Sequence, residues 1–268
     1  MNPIIIAISS ITMLGAICAA ILSFASKMMH VNVDERIETI QAALPGTNCG
    51  ACGFPGCSGY ASALVKANLS DRPKTNLCTP GGAEVISQIS AVLGVESESA
   101  ITKIAIVRCG GTAETRKKKM DYTGIQTCYA AAQVFGGENA CAYGCLGYGD
   151  CQTICPSNAI CIENGLARIN TKLCTGCCLC IKSCPHKIIS MERNIQKNFV
   201  ACSNIERAAA ARKRCAKACL GCGKCCRECP EKSITLENNL AKIDYDKCTN
   251  CGHCVEICPT KCVHIVSP

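Results

Sequence analysis

The stretch Cys248-Thr249-Asn250-Cys251-Gly252-His253-Cys254-Val255-Glu256-Ile257-Cys258-Pro259 has the spacing C-x2-C-x2-C-x3-C-P. Three thiolates so placed wrap one [4Fe-4S] cube, and the fourth, ahead of the proline, reaches across to a second. One run therefore implies another, and it stands upstream as Cys219, Cys222, Cys225 and Cys229-Pro230. The same doublet occurs earlier, where Cys174, Cys177, Cys180 and Cys184-Pro185 answer a run ending in Cys155-Pro156.

From Cys141 onward the chain repeats with an offset of 74: Cys141, Cys145, Cys151, Cys155, Cys174, Cys177, Cys180 and Cys184 become Cys215, Cys219, Cys225, Cys229, Cys248, Cys251, Cys254 and Cys258. The text between repeats too, AICIENGLARIN (159–170) answering SITLENNLAKID (233–244). Each is an apolar run, an Asn-containing turn and a second apolar run, which reads as a β-hairpin. The copies differ in one informative place, where Tyr148 stands in place of Cys222. The first copy must then use the wide set Cys141, Cys145 and Cys151. The second offers either that set, with Cys215, or the compact Cys219, Cys222 and Cys225; the compact loop is preferred because it wraps a cube without extra backbone.

The 29 Cys stand against 4 Phe and no Trp in 268 residues, so there is little large apolar material for ordinary cores and cross-links must substitute. In-register C-x2-C pairs closed by Cys-Pro favour metal ligation over disulfides, and the third Cys two residues on favours a cube over zinc. The net charge of +8 is clustered in Arg116–Lys119 and in Arg207, Arg212, Lys213, Arg214 and Lys217. These runs read either as a solvated face that offsets cluster charge or as a docking field for an acidic partner. No aromatic residues interleave with them to stack bases, which argues against nucleic acid. No dinucleotide fingerprint or Walker loop is present.

Ile4–Ala25 is 22 residues without a charge, long enough at about 1.5 Å per residue to cross about 30 Å of hydrocarbon. No Lys or Arg precedes it, unlike a signal peptide, and Lys27 and Arg36 follow it, which places the bulk of the chain on the cytoplasmic side of the cell membrane. Helical spacing is expected over 31–43, a short helix over 60–66, an amphipathic helix over 83–94, a strand over 101–108 and a helix over 125–135. Cys49, Cys52, Cys57 and Cys78 form a separate four-Cys site with glycines at 50, 53, 56 and 59. Cys109 and Cys128 read as spare buried thiols, with extra ligands as the alternative, Cys18, Cys161, Cys178, Cys202, Cys215, Cys226 and Cys262 as unassigned, and His186 and His253 as structural.

The expected fold is α+β: a transmembrane helix, a small four-Cys [4Fe-4S] module, and two tandem bacterial-ferredoxin-like (βαβ)2 units with two clusters each. The divisions are 1–26 anchor, 27–88 four-Cys module, 89–140 connector with the basic run, 141–192 first doublet, 193–214 basic linker and 215–268 second doublet. About five [4Fe-4S] clusters follow, on 20 Cys.

The order of modules, with GTNCGACGFPGCSGYA followed by C-x-P-G-G, then CAYGCLGYGDC and the doublets, resembles the B subunit of the Rnf-type ion-translocating electron-transport complex along its whole length. That resemblance implies an electron-relay subunit with no catalytic site of its own. It would exchange electrons with an acidic ferredoxin and be tied to membrane partners that couple the transfer to Na+ or H+ translocation, with NAD or a membrane carrier at the other terminus. Shorter family members have one doublet, and the Cys57–Cys78 gap here is longer than theirs. The four-Cys module also resembles one in corrinoid iron-sulfur proteins and in sensory proteins. A membrane-bound polyferredoxin or redox sensor is thus the alternative, although no output domain is visible.

Overall fold

In the computed structural model of the chain, residues 3–28, 34–68, 71–99, 102–193 and 198–266 are described. Helix α1 (Pro3–Met28) stands apart and exposes Ile4, Ile8, Leu14, Ile21 and Phe24 among its large side chains. Among the described residues no helix is long and apolar enough to cross a membrane.

Three helices build the next layer: α2 (Glu35–Ala43), α3 (Gly56–Lys66) and α4 (Gly82–Leu93). Asp34 caps α2 by accepting from the Arg36 N–H, and Gly94 closes α4 in the left-handed conformation that a glycine adopts without strain. Ile37, Ile40, Tyr60, Leu64, Val85 and Ile89 fill their shared core. The Tyr60 hydroxyl donates to the Lys74 carbonyl at 2.6 Å, so the one polar atom of this large buried ring is satisfied. α2 begins four residues later than the periodicity predicts, with 31–33 outside the described residues, and α3 begins four residues earlier, at Gly56.

The rest is two copies of one pattern. Strand β1 (Lys103–Val107) is followed by α5 (Cys128–Gln133), α6 (Asp150–Thr153), the hairpin β2 (Ile160–Glu163) and β3 (Leu166–Ile169), α7 (Leu179–Ser183) and β4 (Ile189–Arg193). Then come β5 (Asn198–Val200), α8 (Ala208–Arg214), α9 (Lys224–Arg227), the hairpin β6 (Ile234–Glu237) and β7 (Leu240–Ile243), α10 (His253–Ile257) and β8 (Val263–Ile265). β1 pairs antiparallel with β4, with Lys103 opposite Arg193, and β5 pairs antiparallel with β8, with Asn198 opposite Ile265. Each copy therefore begins with a strand that closes against its own last strand. The boundaries expected at 141 and 215 are corrected by this pairing, because β1 lies in the supposed connector and β5 in the supposed linker. The expected helix over 125–135 is shorter, only Cys128–Gln133.

Short, Cys-containing cores sit between the sheets and the helices, one around Ala105, Leu166 and Ile189, the other around Val200, Ala241 and Val263. Gly147 shows how tightly the copies are built. Its φ is 86° and a Cβ there would stand 2.2 Å from the Gly165 carbonyl oxygen. Gly221, at the equivalent place, has φ 58° and a Cβ there would stand 2.7 Å from the Asn239 carbonyl oxygen. Only glycine lets the ligand loop approach the hairpin turn so closely.

Candidate iron-sulfur centres

The N-terminal site is assembled from the loop before α3, the first turn of α3 and the segment before α4. Asn48 Oδ1 accepts from the Cys57 N–H at 2.8 Å, which ties the Cys49–Cys52 loop to the start of α3. Cys78 is buried and faces Cys57, Cys52 and Cys49; burial pushes its thiol above the ordinary value. Lys182 of α7 donates to the Cys49 carbonyl at 2.6 Å, and Cys177 lies within electrostatic reach of Cys49. The four-Cys module thus abuts the first copy on its Cys177 side.

Each copy holds two cavities lined by four of the ligand-type thiols. In the first copy, one is lined by Cys155, Cys174, Cys177 and Cys180. The matching cavity in the second copy is lined by Cys229, Cys248, Cys251 and Cys254. In both, three thiols come from one run and the fourth from the Cys-Pro of the other, as the spacing requires. Backbone amides point at these sulfurs: Ala105 N–H at 3.4 Å from Cys174 Sγ and Ala159 N–H at 3.4 Å from Cys155 Sγ. Burial raises the Cys180 thiol to about 12. These thiols must therefore lose their protons as a cluster is built.

The remaining pair of cavities holds the correction. In the second copy Cys219, Cys222, Cys225 and Cys258 line one cavity, which is the compact set. In the first copy the equivalent cavity is lined by Cys145, Cys151, Cys184 and Cys128; Cys141 is not among its walls. The structure does not bring Cys141 to Cys145 and Cys151 around this cavity. It brings Cys128 to the place vacated by Tyr148, and the reason is a carboxylate. Asp150 accepts from the Cys128 N–H at 2.8 Å and the Tyr129 N–H at 2.9 Å, so the residue before Cys151 caps α5 and holds Cys128 beside it. Tyr148 turns instead onto Tyr122, ring centroids 5.9 Å apart, in a small core with Cys128, Ala131 and Leu146. The pattern carried one usable signal: a Cys missing from the run at 148 and an unassigned Cys in the preceding segment.

The second copy adds Cys262, fully buried between Cys219 and Cys258. Its sulfur is 3.6 Å from Cys258 Sγ, and its N–H donates to the same sulfur at 3.4 Å. Donation from the Cys262 thiol lowers Cys258 to about 4, while the two neighbouring sulfurs keep Cys262 itself protonated. The first copy has Ile188 at this position. His186 donates from Nδ1 to the Gly144 carbonyl at 2.7 Å, and His253 stands 3.6 Å from Glu228, so both histidines have protein partners. A cleft of about 450 Å³ between Ile106, Phe199 and His264 contains one cysteine, Cys109, and lacks the four-thiol wall.

The basic runs are partly structural. Arg116 is buried and donates to the Cys145 and Gly165 carbonyls. Lys118 pairs with Glu138 at 2.8 Å, and Lys119 donates to the Phe135 carbonyl at 2.6 Å. Arg214 pairs with Glu206 at 2.9 Å and donates to the Ala140 carbonyl at 2.7 Å. Arg207, Arg212 and Lys213 remain as an exposed basic edge beside the second copy.

Converging thiols on short helices and hairpins, used twice in one chain, define an iron-sulfur protein of [4Fe-4S] type. Family models agree: a putative Fe-S cluster domain matches 44–72, a 4Fe-4S binding domain 167–190 and a 4Fe-4S dicluster domain 211–259. The first copy is matched only across its second run, in keeping with the unusual Cys128 route in its first. The chain is 39% identical over 249 residues to the B subunit of the Na+-translocating ferredoxin:NAD+ oxidoreductase complex of Acetobacterium woodii, covering 92% of this chain and 74% of that one. It is 37% identical to the B subunit of the proton-translocating ferredoxin:NAD+ oxidoreductase complex of Clostridium ljungdahlii, covering 81% and 75%. It is 36% identical to the B subunit of the ion-translocating oxidoreductase complex of Methanosarcina acetivorans, covering 88% of each. The chain belongs to this family of ion-translocating oxidoreductase B subunits.

Proposed function

We propose that this chain is the iron-sulfur relay subunit of a membrane complex that couples electron transfer between ferredoxin and NAD or a membrane carrier to Na+ or H+ translocation. The observation that carries the reading is the set of four-thiol cavities in two packed copies, with a fifth four-Cys site abutting the first copy through Lys182. Each site suits a [4Fe-4S] cluster, which supplies one-electron transfer at a potential set by its surroundings. The holders are Cys49, Cys52, Cys57 and Cys78; Cys128, Cys145, Cys151 and Cys184; Cys155, Cys174, Cys177 and Cys180; Cys219, Cys222, Cys225 and Cys258; and Cys229, Cys248, Cys251 and Cys254.

The chain's own contribution is to fix these thiols, aim amide N–H groups at their sulfurs and line the sites up. The two copies are read as tandem ferredoxin-like (βαβ)2 units. Attachment to the cell membrane, with the clusters on the cytoplasmic side, is supported by the uncharged run Ile4–Ala25 and the exposed apolar side chains of α1. An acidic ferredoxin is the partner that the exposed basic edge at Arg207, Arg212 and Lys213 fits by charge.

The test is anaerobic purification from native membranes. Co-purifying integral membrane subunits, with cluster bleaching on ferredoxin oxidation or reduction, support the relay. A chain that purifies alone and whose clusters do not exchange electrons with reduced ferredoxin refutes it.

A further inference from the structure

Nine of the 29 cysteines fall outside the five sites, among them the buried Cys141, Cys202 and Cys215 and the half-buried Cys109. These four are related in pairs by the internal repeat. Val107-Arg108-Cys109-Gly110 ends β1, and Val200-Ala201-Cys202-Ser203 ends β5, while Cys141 and Cys215 occupy equivalent places ahead of the two ligand loops. Two pairs from two repeats meet where the copies pack together.

Backbone geometry brings them there. Residues 115–119 run extended between 138–140 on one side and 214–216 on the other. The Lys117 N–H donates to the Arg214 carbonyl at 2.9 Å and the Ala216 N–H to the Thr115 carbonyl at 2.9 Å, while the Ala140 N–H donates to the Lys117 carbonyl at 2.8 Å. Cys141 and Cys215 are thereby set on either side of one segment. Across from them, Ser203 donates to the Arg108 carbonyl at 3.0 Å and clips the ends of β1 and β5 together, which juxtaposes Cys109 and Cys202. The four thiols are linked in sequence by their mutual electrostatics: Cys215 with Cys141, Cys141 with Cys109, and Cys109 with Cys202.

We infer that Cys109, Cys141, Cys202 and Cys215 hold a further [4Fe-4S] cluster at the junction of the two copies. The donor set fits. A Cβ at Gly111 would stand 3.0 Å from Cys215 Sγ and 3.9 Å from Cys109 Sγ, so a glycine keeps the space between the two sulfurs open. Amide donors surround the sulfurs as they do at the other sites. The Cys145 N–H lies 3.4 Å from Cys109 Sγ and the Cys219 N–H 3.3 Å from Cys202 Sγ. The fully buried Asn204 serves two members, with its backbone N–H 3.5 Å from Cys202 Sγ and its Nδ2 3.6 Å from Cys141 Sγ. The positive charge of Arg116 favours negative charge at Cys109. Among the described residues no three His, Cys, Asp or Glu side chains are drawn close enough to hold a single ion.

The Cys145 and Cys219 amides that point at this site belong to ligands of the neighbouring site in each copy, so a cluster here adjoins both. The inference adds to the relay reading and can fail without it. Native mass spectrometry of the anaerobically reconstituted full chain should show six cubes, with iron at about 24 per chain. The double variant Cys141→Ser, Cys215→Ser should retain five and lose about four irons, with the other clusters' electron paramagnetic signals unchanged. Five cubes in the wild-type chain, no iron loss in the double variant, or zinc bound by these thiols overturns the site. The wild-type count decides the matter even if the variant does not fold. A count of five leaves the relay standing, whereas a count below five removes its ligand assignment as well.

Discussion

Replacing Cys128 tests the correction at its centre. In the first copy the cavity bounded by Cys145, Cys151 and Cys184 has its fourth thiol from Cys128 alone. Cys128→Ser should therefore cost up to about four irons per chain, the content of one cube. The local structure also supplies a rescue. Gly147 and Gly149, with φ of 86° and 90°, flank Tyr148 just as Gly221 and Gly223, with φ of 58° and 70°, flank Cys222. The loop already has the backbone of the compact motif, so Cys128→Ser with Tyr148→Cys should recover the iron. A weaker perturbation acts through the cap. Asp150→Ala removes two charge-assisted hydrogen bonds to α5; being partly exposed, the pair is worth about 2 kcal/mol, which would lower occupancy of this cube without removing a ligand. Anaerobic iron and sulfide determination with low-temperature electron paramagnetic resonance reads all three variants. Wild-type iron in Cys128→Ser, or no recovery on adding Tyr148→Cys, refutes the assignment.

Gly147→Ala should lower stability by about 1–3 kcal/mol, because it adds a left-handed backbone penalty to a Cβ 2.2 Å from a carbonyl oxygen; the melting temperature of the anaerobic holoprotein measures it. Cys262→Ile should lower the potential of the cube on Cys219, Cys222, Cys225 and Cys258 by removing a thiol donor to its sulfurs, read by redox titration, with iron content unchanged. Arg212→Gln with Lys213→Gln should raise the KM for ferredoxin and flatten its salt dependence while leaving reduction by a small uncharged donor unaltered; Arg214 is kept, since it holds the Ala140 carbonyl. Deleting residues 1–28 should release an iron-loaded chain from the membrane fraction, and persistence in that fraction would point to attachment through partners instead.

What could be read from the chain depends on how locally each feature is encoded. The compact runs are local: three thiols within seven residues and a fourth before proline leave one arrangement. The hairpins are local as well, because Asn164-Gly165 and Asn238-Asn239 take the left-handed backbone of a two-residue turn between apolar strands. The strand at 103–107 is visible as an apolar run, but its partner, β4, lies beyond an entire cluster-binding region. Nothing near residue 103 announces that pairing, so counting by Cys starts the first copy at 141. Cys128 is equally hidden, since its position is set by a carboxylate 22 residues away. The basic runs misled for a related reason: charge is legible in sequence, but Arg116 and Arg214 are consumed by backbone carbonyls that only the folded chain presents.

Two departures from repeat symmetry fall at one pair of equivalent sites. In the first copy the fourth thiol is buried Cys128, covered by a helix and the Tyr122–Tyr148 pair; in the second it is exposed Cys222. Behind the cube position the first copy has apolar Ile188, and the second has a thiol directed at two ligand sulfurs. Solvent exposure and hydrogen bonds to sulfur both stabilise the more negative, reduced cluster. Both changes act in the same direction, towards a higher potential in the second copy. Two identical copies would give a pair of sites with no gradient between them. On the proposed ligand sets, the substitutions at 148 and 188, with the recruitment of Cys128, would make the two sites a graded pair, with electrons favoured in the second copy.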